Sequence, residues 1–226
     1  MGTIGLHWIA ESLVACIVPI SPAIATLAPD EERLVVGATL RRRAQFAAGR
    51  DAARQVMVAM GTPAVAIGQG TEGEPVFPAE LRGSISHTRE HAVALVGLAD
   101  DYCSVGVDLD DAQPLGDAAA ASATWQSEVS RIQHAMGLAE RAAAQNFAFS
   151  AKEAIFKCQY PLTLNSKLGP LQARLLASRS GTGVMSVAAW RVDALTADIL
   201  NRVVVLRLTL GYLSLAVAII SAKSRD

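Results

Sequence analysis

Cysteine is scarce: the 226-residue chain has three, Cys16, Cys103 and Cys158, an odd number set far apart. No CxxC and no zinc-type ligand spacing accompanies them. That excludes a disulfide framework and a structural zinc site, and it fits a reducing compartment. Their simplest role is as small apolar core residues. Net charge is scarce too, since 20 Lys and Arg against 21 Asp and Glu leave −1. No run of like charges forms a tail, which argues against nucleic-acid binding. A Walker or dinucleotide fingerprint, a short-period repeat and a low-complexity tract are all missing. Leu13 to Ile20 is apolar, but His7 and Glu11 precede it and no positive residue does, so it reads as a poor signal peptide.

One long apolar stretch, Val203 to Ile220, approaches the length of a membrane span. Arg207 interrupts it and Gly211-Tyr212 divides it. Leu206, Leu208 and Leu210 alternate with Arg207 and Thr209, then Leu213, Leu215 and Val217 with Ser214 and Ala216. Period two about a central glycine reads as a β-hairpin. The protein is therefore expected to be soluble and cytoplasmic, with no membrane partner. Nothing in the chain demands a dimer, so a monomer is expected. What the chain has in quantity is apolar material, 51% of residues, enough for one large domain or two small ones.

In chain order, Leu13 to Val18 reads as a strand closed by Pro19 and Pro22. Pro29-Asp30-Glu31-Glu32 starts a helix with acidic residues in its first turn. A second helix spans about Arg41 to Met60 and stops at Gly61-Thr62-Pro63. Arg43, Arg50 and Arg54 recur at spacings of seven and four and so line one face, with Arg42 near it. Such a row is either a solvated face or the wall of an anion site, since guanidinium matches phosphate geometry. Gly68 to Pro78 is a glycine- and proline-rich loop. Gly83 to Thr88 leads into a buried strand, His91 to Leu98. The Ser86-His87 pair lacks an acidic orienter for nucleophilic catalysis; at a strand end it can donate to a phosphate instead.

Tyr102 to Val107 reads as another strand, ending in Asp108-Leu109-Asp110-Asp111. At period two Asp108 and Asp110 share a side. Two carboxylates there either begin a turn or hold a hard cation such as Mg²⁺. Asp111 to Asp117 is the expected linker, so the division falls at residues 1–111 and 112–226. Ala118 to Ala148 reads as helical pieces, followed by a helix through Phe149-Ser150-Ala151-Lys152-Glu153-Ala154-Ile155-Phe156-Lys157, with a loop bounded by Pro161 and Gly169-Pro170. On that helix Glu153 and Lys157 share a face and Lys152 lies about 100° round. An i,i+4 ion pair alone explains the charges at about 0.2–0.5 kcal/mol. Sharing a metal with Asp108 and Asp110 is the sharper reading. Strands follow at about Leu171 to Ala177 and Val184 to Trp190, before the hairpin.

Four stretches together resemble the 4′-phosphopantetheinyl transferases that serve siderophore, peptide and polyketide synthases. They are Gly49-Arg50 with Ala52, Ala53 and the upstream arginines; Gly73-Glu74-Pro75-Val76-Phe77-Pro78 leading to Gly83-Ser84-Ile85-Ser86-His87; Gly106-Val107-Asp108-Leu109-Asp110; and Phe149 to Lys157 with Pro161. They occur in the family's order and cover roughly residues 41 to 161. The resemblance implies an α+β fold of two similar halves related by a pseudo-twofold axis, with the active site in the cleft. It implies transfer of 4′-phosphopantetheine from coenzyme A to a serine of an apo acyl or peptidyl carrier protein, releasing adenosine 3′,5′-bisphosphate. Carried over by residue, Asp108, Asp110 and Glu153 would hold Mg²⁺. Arg42, Arg50, Gly73, Glu74, Pro75, Ser86, His87, Asp108, Lys152 and Lys157 would hold coenzyme A. Glu153 and Lys157 would be catalytic.

The sequence departs from the family pattern in three places. Asp110 stands where Glu is commoner and Phe77 where Trp is usual. Gln69 and Glu72 occupy loop positions that often carry Lys, which removes positive charge beside the coenzyme. The other readings are a non-catalytic coenzyme A or carrier-protein binding module and a Mg²⁺ phosphodiesterase acting on a nucleotide. The three carboxylates weigh against the first, because a degenerate enzyme need not keep them all.

Overall fold

Each of the two long helices has a broad apolar side, and each lies against an antiparallel sheet. The computed structural model describes the chain except residues 1–3, 22–25, 114, 116–124, 178–183 and 223–226. The chain divides into two compact units, Met1–Val105 with Ser221–Asp226, and Gly106–Ile220. Helices and antiparallel strands make the class α+β.

In the first unit, β1 (Gly5–Ala10), β2 (Leu13–Pro19), α1 (Pro29–Arg33) and α2 (Leu40–Ala59) are followed by two short strands. These are β3 (Gly68–Gln69) and β4 (Pro75–Val76), and then come β5 (Leu81–His87) and β6 (His91–Leu98). The four-stranded sheet has the order β1-β2-β6-β5. Its antiparallel register sets Val14, Cys16 and Val18 opposite Val96, Ala94 and Ala92. These six pack with Ala48, Ala52, Ala53, Val56 and Met57 of α2. Burying a Val or Met side chain stabilises by about 1.5–3 kcal/mol. Thr39 caps α2, its hydroxyl accepting from Arg42 N at 3.2 Å. Gly61, at φ +72°, follows the helix before Pro63. Strand β1 was not expected; Leu6 and Trp8 on its alternate positions remain exposed, which blurs its amphipathic pattern.

Strand β7 (Tyr102–Asp110) runs from the first unit into the second. It does not stop at Val107 but carries Asp108 and Asp110 within the ladder. The second unit continues with α3 (Gln126–Ala135), α4 (Arg141–Thr163), β8 (Ala173–Ala177) and β9 (Val184–Ala189). After these come α5 (Ala194–Arg202), β10 (Val204–Leu210) and β11 (Leu213–Ser221). The sheet order is β7-β11-β10-β9-β8. The last two strands form the expected hairpin, with Leu210 opposite Leu213 across Gly211-Tyr212 and Gly211 at φ +63°. Among the described residues no helix is long and apolar enough to cross a membrane.

Two helices differ from expectation. Pro161 lies inside α4 rather than bounding a loop. It falls in the last turn, where only one helical hydrogen bond is lost, and the helix ends at Leu164 in the left-handed region, φ +54°. Helix α5 was not foreseen. Asp193 caps it, with Oδ1 accepting from Thr196 N at 2.9 Å and Oδ2 from Thr196 Oγ1 at 2.6 Å. Three residues of the expected linker, Pro114, Gly116 and Asp117, lie outside the described residues. Cys16 and Cys158 are buried core residues as expected, while Cys103 is half-buried; all three are free thiols. Burial, aided by Asp51, pushes the Cys16 thiol up to about 12.

Helix α4 touches β7 at Gly106. A Cβ there would stand 2.0 Å from Ala154 O and 2.7 Å from Cys158 N. Only a residue without a side chain permits this approach. Gly106→Ala is therefore expected to cost about 1–3 kcal/mol or more through overpacking, read as a lower urea midpoint. An unchanged midpoint would show that strand and helix stand further apart.

Candidate functional site

In the second unit the close approach at Gly106 lays one polar stripe of α4 along the end of β7. The stripe is Asn146, Ser150, Glu153 and Lys157, at spacings of four, three and four on a helix that otherwise buries Ala144, Phe147, Ala151, Ala154 and Ile155. Leu109 is buried and points away from the flanking Asp108 and Asp110. Asp108 is held at both oxygens: Oδ1 accepts from Lys157 Nζ at 2.7 Å and Oδ2 from Ser150 Oγ at 2.7 Å. Lys157 Nζ also donates to Val107 O at 3.1 Å. Asp110 Oδ1 accepts from Ala112 N at 3.0 Å and from Asn146 Nδ2 at 3.3 Å. Asn146 Nδ2 further donates to Gln113 O at 2.8 Å, tying the turn after β7 to the helix.

Burial pushes the Glu153 carboxyl above the usual carboxylate range; Asp108 adds to the rise and Lys157 opposes it. Burial likewise pushes Asp110 up, against the hydrogen bonds from Ala112 and Asn146 and with the charges of Asp111 and Asp108. Asp108 thus lies within electrostatic reach of both Glu153 and Asp110, and Lys157 supplies positive charge beside Asp108 and Glu153. Glu153 and Asp110 are both disfavoured as anions by their burial. The donors are all oxygen, the set a hard divalent cation takes. Among the described residues, however, no three His, Cys, Asp or Glu side chains are gathered as a ready ligand set. The Arg207 guanidinium, on β10, lies over the Phe147 ring at 5.8 Å and feels the Asp110 charge.

Lys152 lies apart from this group. It is turned into the interior, where its Nζ donates to Glu128 Oε2 at 2.7 Å, with side chains only 2% and 1% exposed. Glu128 Oε1 accepts from Leu175 N at 2.7 Å. The pair therefore ties α3, α4 and the edge strand β8 together. The 100° offset from Glu153 accounts for the separate direction.

In the first unit, two of the five arginines on α2 are neutralised by α1. Arg43 pairs with Glu32 at 2.5 Å, and Arg54 with buried Glu31 at 2.8 Å. Glu31 also accepts from Ile67 N and Ala28 N, both at 2.9 Å. Arg50 is buried on Phe46, its guanidinium 3.8 Å from the ring centroid. One Nη donates to Gly68 O at 3.3 Å, while Nε is buried with no partner. Burial holds its pKa down at about 10, against the pull of Glu31, so the guanidinium stays charged at neutral pH. Arg42 Nη1 reaches His87 Nε2 at 3.2 Å, and His87 Nδ1 lies 3.3 Å from Thr88 O. The consistent tautomer donates from Nδ1 and accepts at Nε2. Alternation along β5 sends His87 to the side of Ile85, which packs against α2, and buried Ser86 to the other. Between β3 and β4, Gly73 at φ +92° turns the chain and Gly70 makes room for the Glu74 carboxylate. That carboxylate accepts from Glu72 N at 3.0 Å, and Pro75 pairs with Gln69 in the ladder.

The side chains in or beside the candidate site that sequence reasoning missed are Ser150, Asn146 and Arg207, with Glu128 as the partner of Lys152. The first two were signalled by their helical spacing from Glu153 and Lys157. Glu128 and Arg207 act across long sequence separations and gave no local signal.

Residues 30–97 match the family model for the 4′-phosphopantetheinyl transferase N-terminal domain. The chain is 34% identical to 4′-phosphopantetheinyl transferase Svp of Streptomyces mobaraensis over 62% of its length and 57% of that protein. It is 30% identical to Npt of Nocardia iowensis, over 60% of each chain. It is 30% identical to PptT of Mycobacterium tuberculosis, over 63% of this chain and 62% of that one. Both of these relatives are also named 4′-phosphopantetheinyl transferases. The matches thus span about three fifths of these relatives' lengths. A solved holo-(acyl-carrier-protein) synthase of Bacillus anthracis, in complex with CoA (3′,5′-ADP), is 25% identical over 38% of this chain and 94% of its own, at TM-score 0.33. That superposition is too loose to bear on the fold. The family model and the relatives bear out the resemblance carried by the motifs.

The burial of Lys152 gives a direct prediction. Lys152→Met strands the Glu128 charge in the interior and should cost about 3–5 kcal/mol of stability. Adding Glu128→Gln should recover most of it, since the amide oxygen can still accept from Leu175 N. Guanidinium unfolding of both variants checks this. A stable single variant with weakened coenzyme A binding would return Lys152 to the phosphate-facing role.

Proposed function

We propose that the protein is a Mg²⁺-dependent phosphopantetheinyl transferase that moves 4′-phosphopantetheine from coenzyme A to a serine of an apo acyl or peptidyl carrier protein. The observation that carries this reading is the arrangement on α4 and β7: Asp108 gripped by Lys157 and Ser150, with Glu153 and Asp110 beside it as carboxylates that burial disfavours as anions. Asp108, Asp110 and Glu153 are the oxygen donors that would hold Mg²⁺. When bound, the ion would neutralise the pyrophosphate charge. The two similar halves that the family likeness implies belong to the same proposal.

The chain's own groups have separable tasks. Glu153, with its affinity for a proton raised, takes the proton of the acceptor serine hydroxyl. The serine oxygen forms its bond to the phosphorus that bears pantetheine, and the bond from that phosphorus to the bridging oxygen breaks. Adenosine 3′,5′-bisphosphate leaves with its new terminal oxygen balanced by the Lys157 ammonium or protonated by it. Ser150 and Val107 O fix Asp108 and Lys157 so that neither charge must reorganise. In the first unit, Arg50 has an unused buried Nε–H and Arg42 lies against His87, which supports their assignment to coenzyme A phosphates. Ser86, Gly73, Glu74 and Pro75 stay with this assignment. Lys152 does not, because Glu128 occupies it.

The test is to incubate the protein with coenzyme A, Mg²⁺ and an apo carrier protein and weigh the carrier. A gain of one phosphopantetheine that chelator abolishes is expected; an unmodified carrier would overturn the reading. Asp108→Ala and Glu153→Ala should abolish the gain while the protein stays folded. Glu153→Gln should slow turnover by about 10²–10⁴-fold, the usual contribution of a general base. Lys157→Ala should lower kcat more than it weakens coenzyme A binding. Near-normal turnover in the Asp108 or Glu153 variants would remove the metal assignment.

A further inference from the structure

Two of the three tryptophans and two arginines form a ladder on the outer end of the second unit's sheet. The Arg174 guanidinium lies 5.3 Å from the Trp125 ring centroid and 5.8 Å from that of Trp190, and the Arg191 guanidinium lies 5.5 Å from that of Trp190. Register places Arg174 opposite Ala188 and Leu176 opposite Ser186, so alternation puts Arg174, Leu176 and Trp190 on one face. Trp125, Trp190 and Leu176 are 37%, 42% and 43% exposed. Among the described residues neither arginine is within ion-pair distance of a carboxylate.

The ladder is held in place from behind. Trp190 N donates to Gln172 O at 2.8 Å and Gln172 Nε2 donates to Arg191 O at 3.2 Å, which fixes the turn after β9. Trp125 caps α3, and Glu128, one turn on, bonds both Leu175 N of β8 and Lys152 of α4. Lys152 is the neighbour of Glu153. A partner resting on the ladder is therefore braced against the helix that carries the candidate base. Exposed Trp and Arg, preorganised and flanked by Leu, are the composition of interface anchors. Two guanidiniums without carboxylates select an acidic partner surface.

We propose that this face docks the acceptor protein, through Asp or Glu side chains set around an apolar residue. The inference rests on the transferase reading for the identity of the partner. The probe is an apo acyl carrier protein of net negative charge, tested with Arg174→Glu, Arg191→Glu and Trp190→Ala. Each variant should raise the KM for the carrier about tenfold, leaving kcat and the calorimetric Kd for coenzyme A unchanged. The wild-type KM should rise with salt, and that of the Arg174→Glu/Arg191→Glu variant should respond less. Trp190→Ala, being exposed, keeps the test open if Arg174→Glu disturbs the nearby Lys152–Glu128 pair. Carrier KM values within twofold of wild type would overturn the proposal. If the wild type transfers nothing, the reading of the activity fails and tryptophan fluorescence decides the docking. A saturable change on adding the carrier, lost in the double variant, upholds the surface; no change overturns it.

Discussion

The second unit depends on one contact between backbones. Gly106 lets α4 press onto β7 until Ala154 O sits where a Cβ would otherwise be. Everything polar at the candidate site follows from that approach. One polar stripe of the helix is brought alongside the strand's two carboxylates, so short side chains suffice: a serine reaches Asp108 and an asparagine reaches Asp110. A wider gap would leave these groups to water and would loosen the hold on Lys157. Packing density here sets electrostatic geometry, because a close-packed interior does not deform continuously.

The electrostatics are deliberately unbalanced. Asp108 is satisfied twice over, while Glu153 and Asp110 carry the cost of burial with less in return. A structural salt bridge would have paired each charge and stopped, as Lys152 and Glu128 do. The contrast between the two lysines of one helix is instructive. Lys152 is sealed with a single carboxylate and helps hold three elements together. Lys157 is 27% exposed and shared between Asp108, the Val107 carbonyl and the field of Glu153, which suits the proposed task of meeting a charged substrate.

Much of this was legible in the sequence because it depends on local period. Helical spacing put Glu153 and Lys157 on one face and Lys152 round the side. Strand alternation put Asp108 and Asp110 together, and the hairpin at Gly211 followed from the same rule. What local period could not supply were the partners chosen over distance. Nothing near Arg43 or Arg54 announced that Glu32 and Glu31 would absorb them, leaving Arg42 and Arg50 of that row to consider for an anion. Nothing near Lys152 pointed to Glu128. Pro161 misled because a proline in a last turn costs one hydrogen bond, which the packing of α4 outweighs. Strand β1 escaped because its alternate apolar residues face outward.

The central claim is that Asp108, Asp110 and Glu153 act as one site that needs a cation beyond Lys157. Its most direct test is Mn²⁺ binding followed by electron paramagnetic resonance, with the full chain and coenzyme A present. The account predicts one saturable ion in the wild type and its loss in both Asp108→Ala and Glu153→Ala, each still folded. Equal Mn²⁺ affinity in the wild type and both variants, or no bound ion in the wild type, would contradict it.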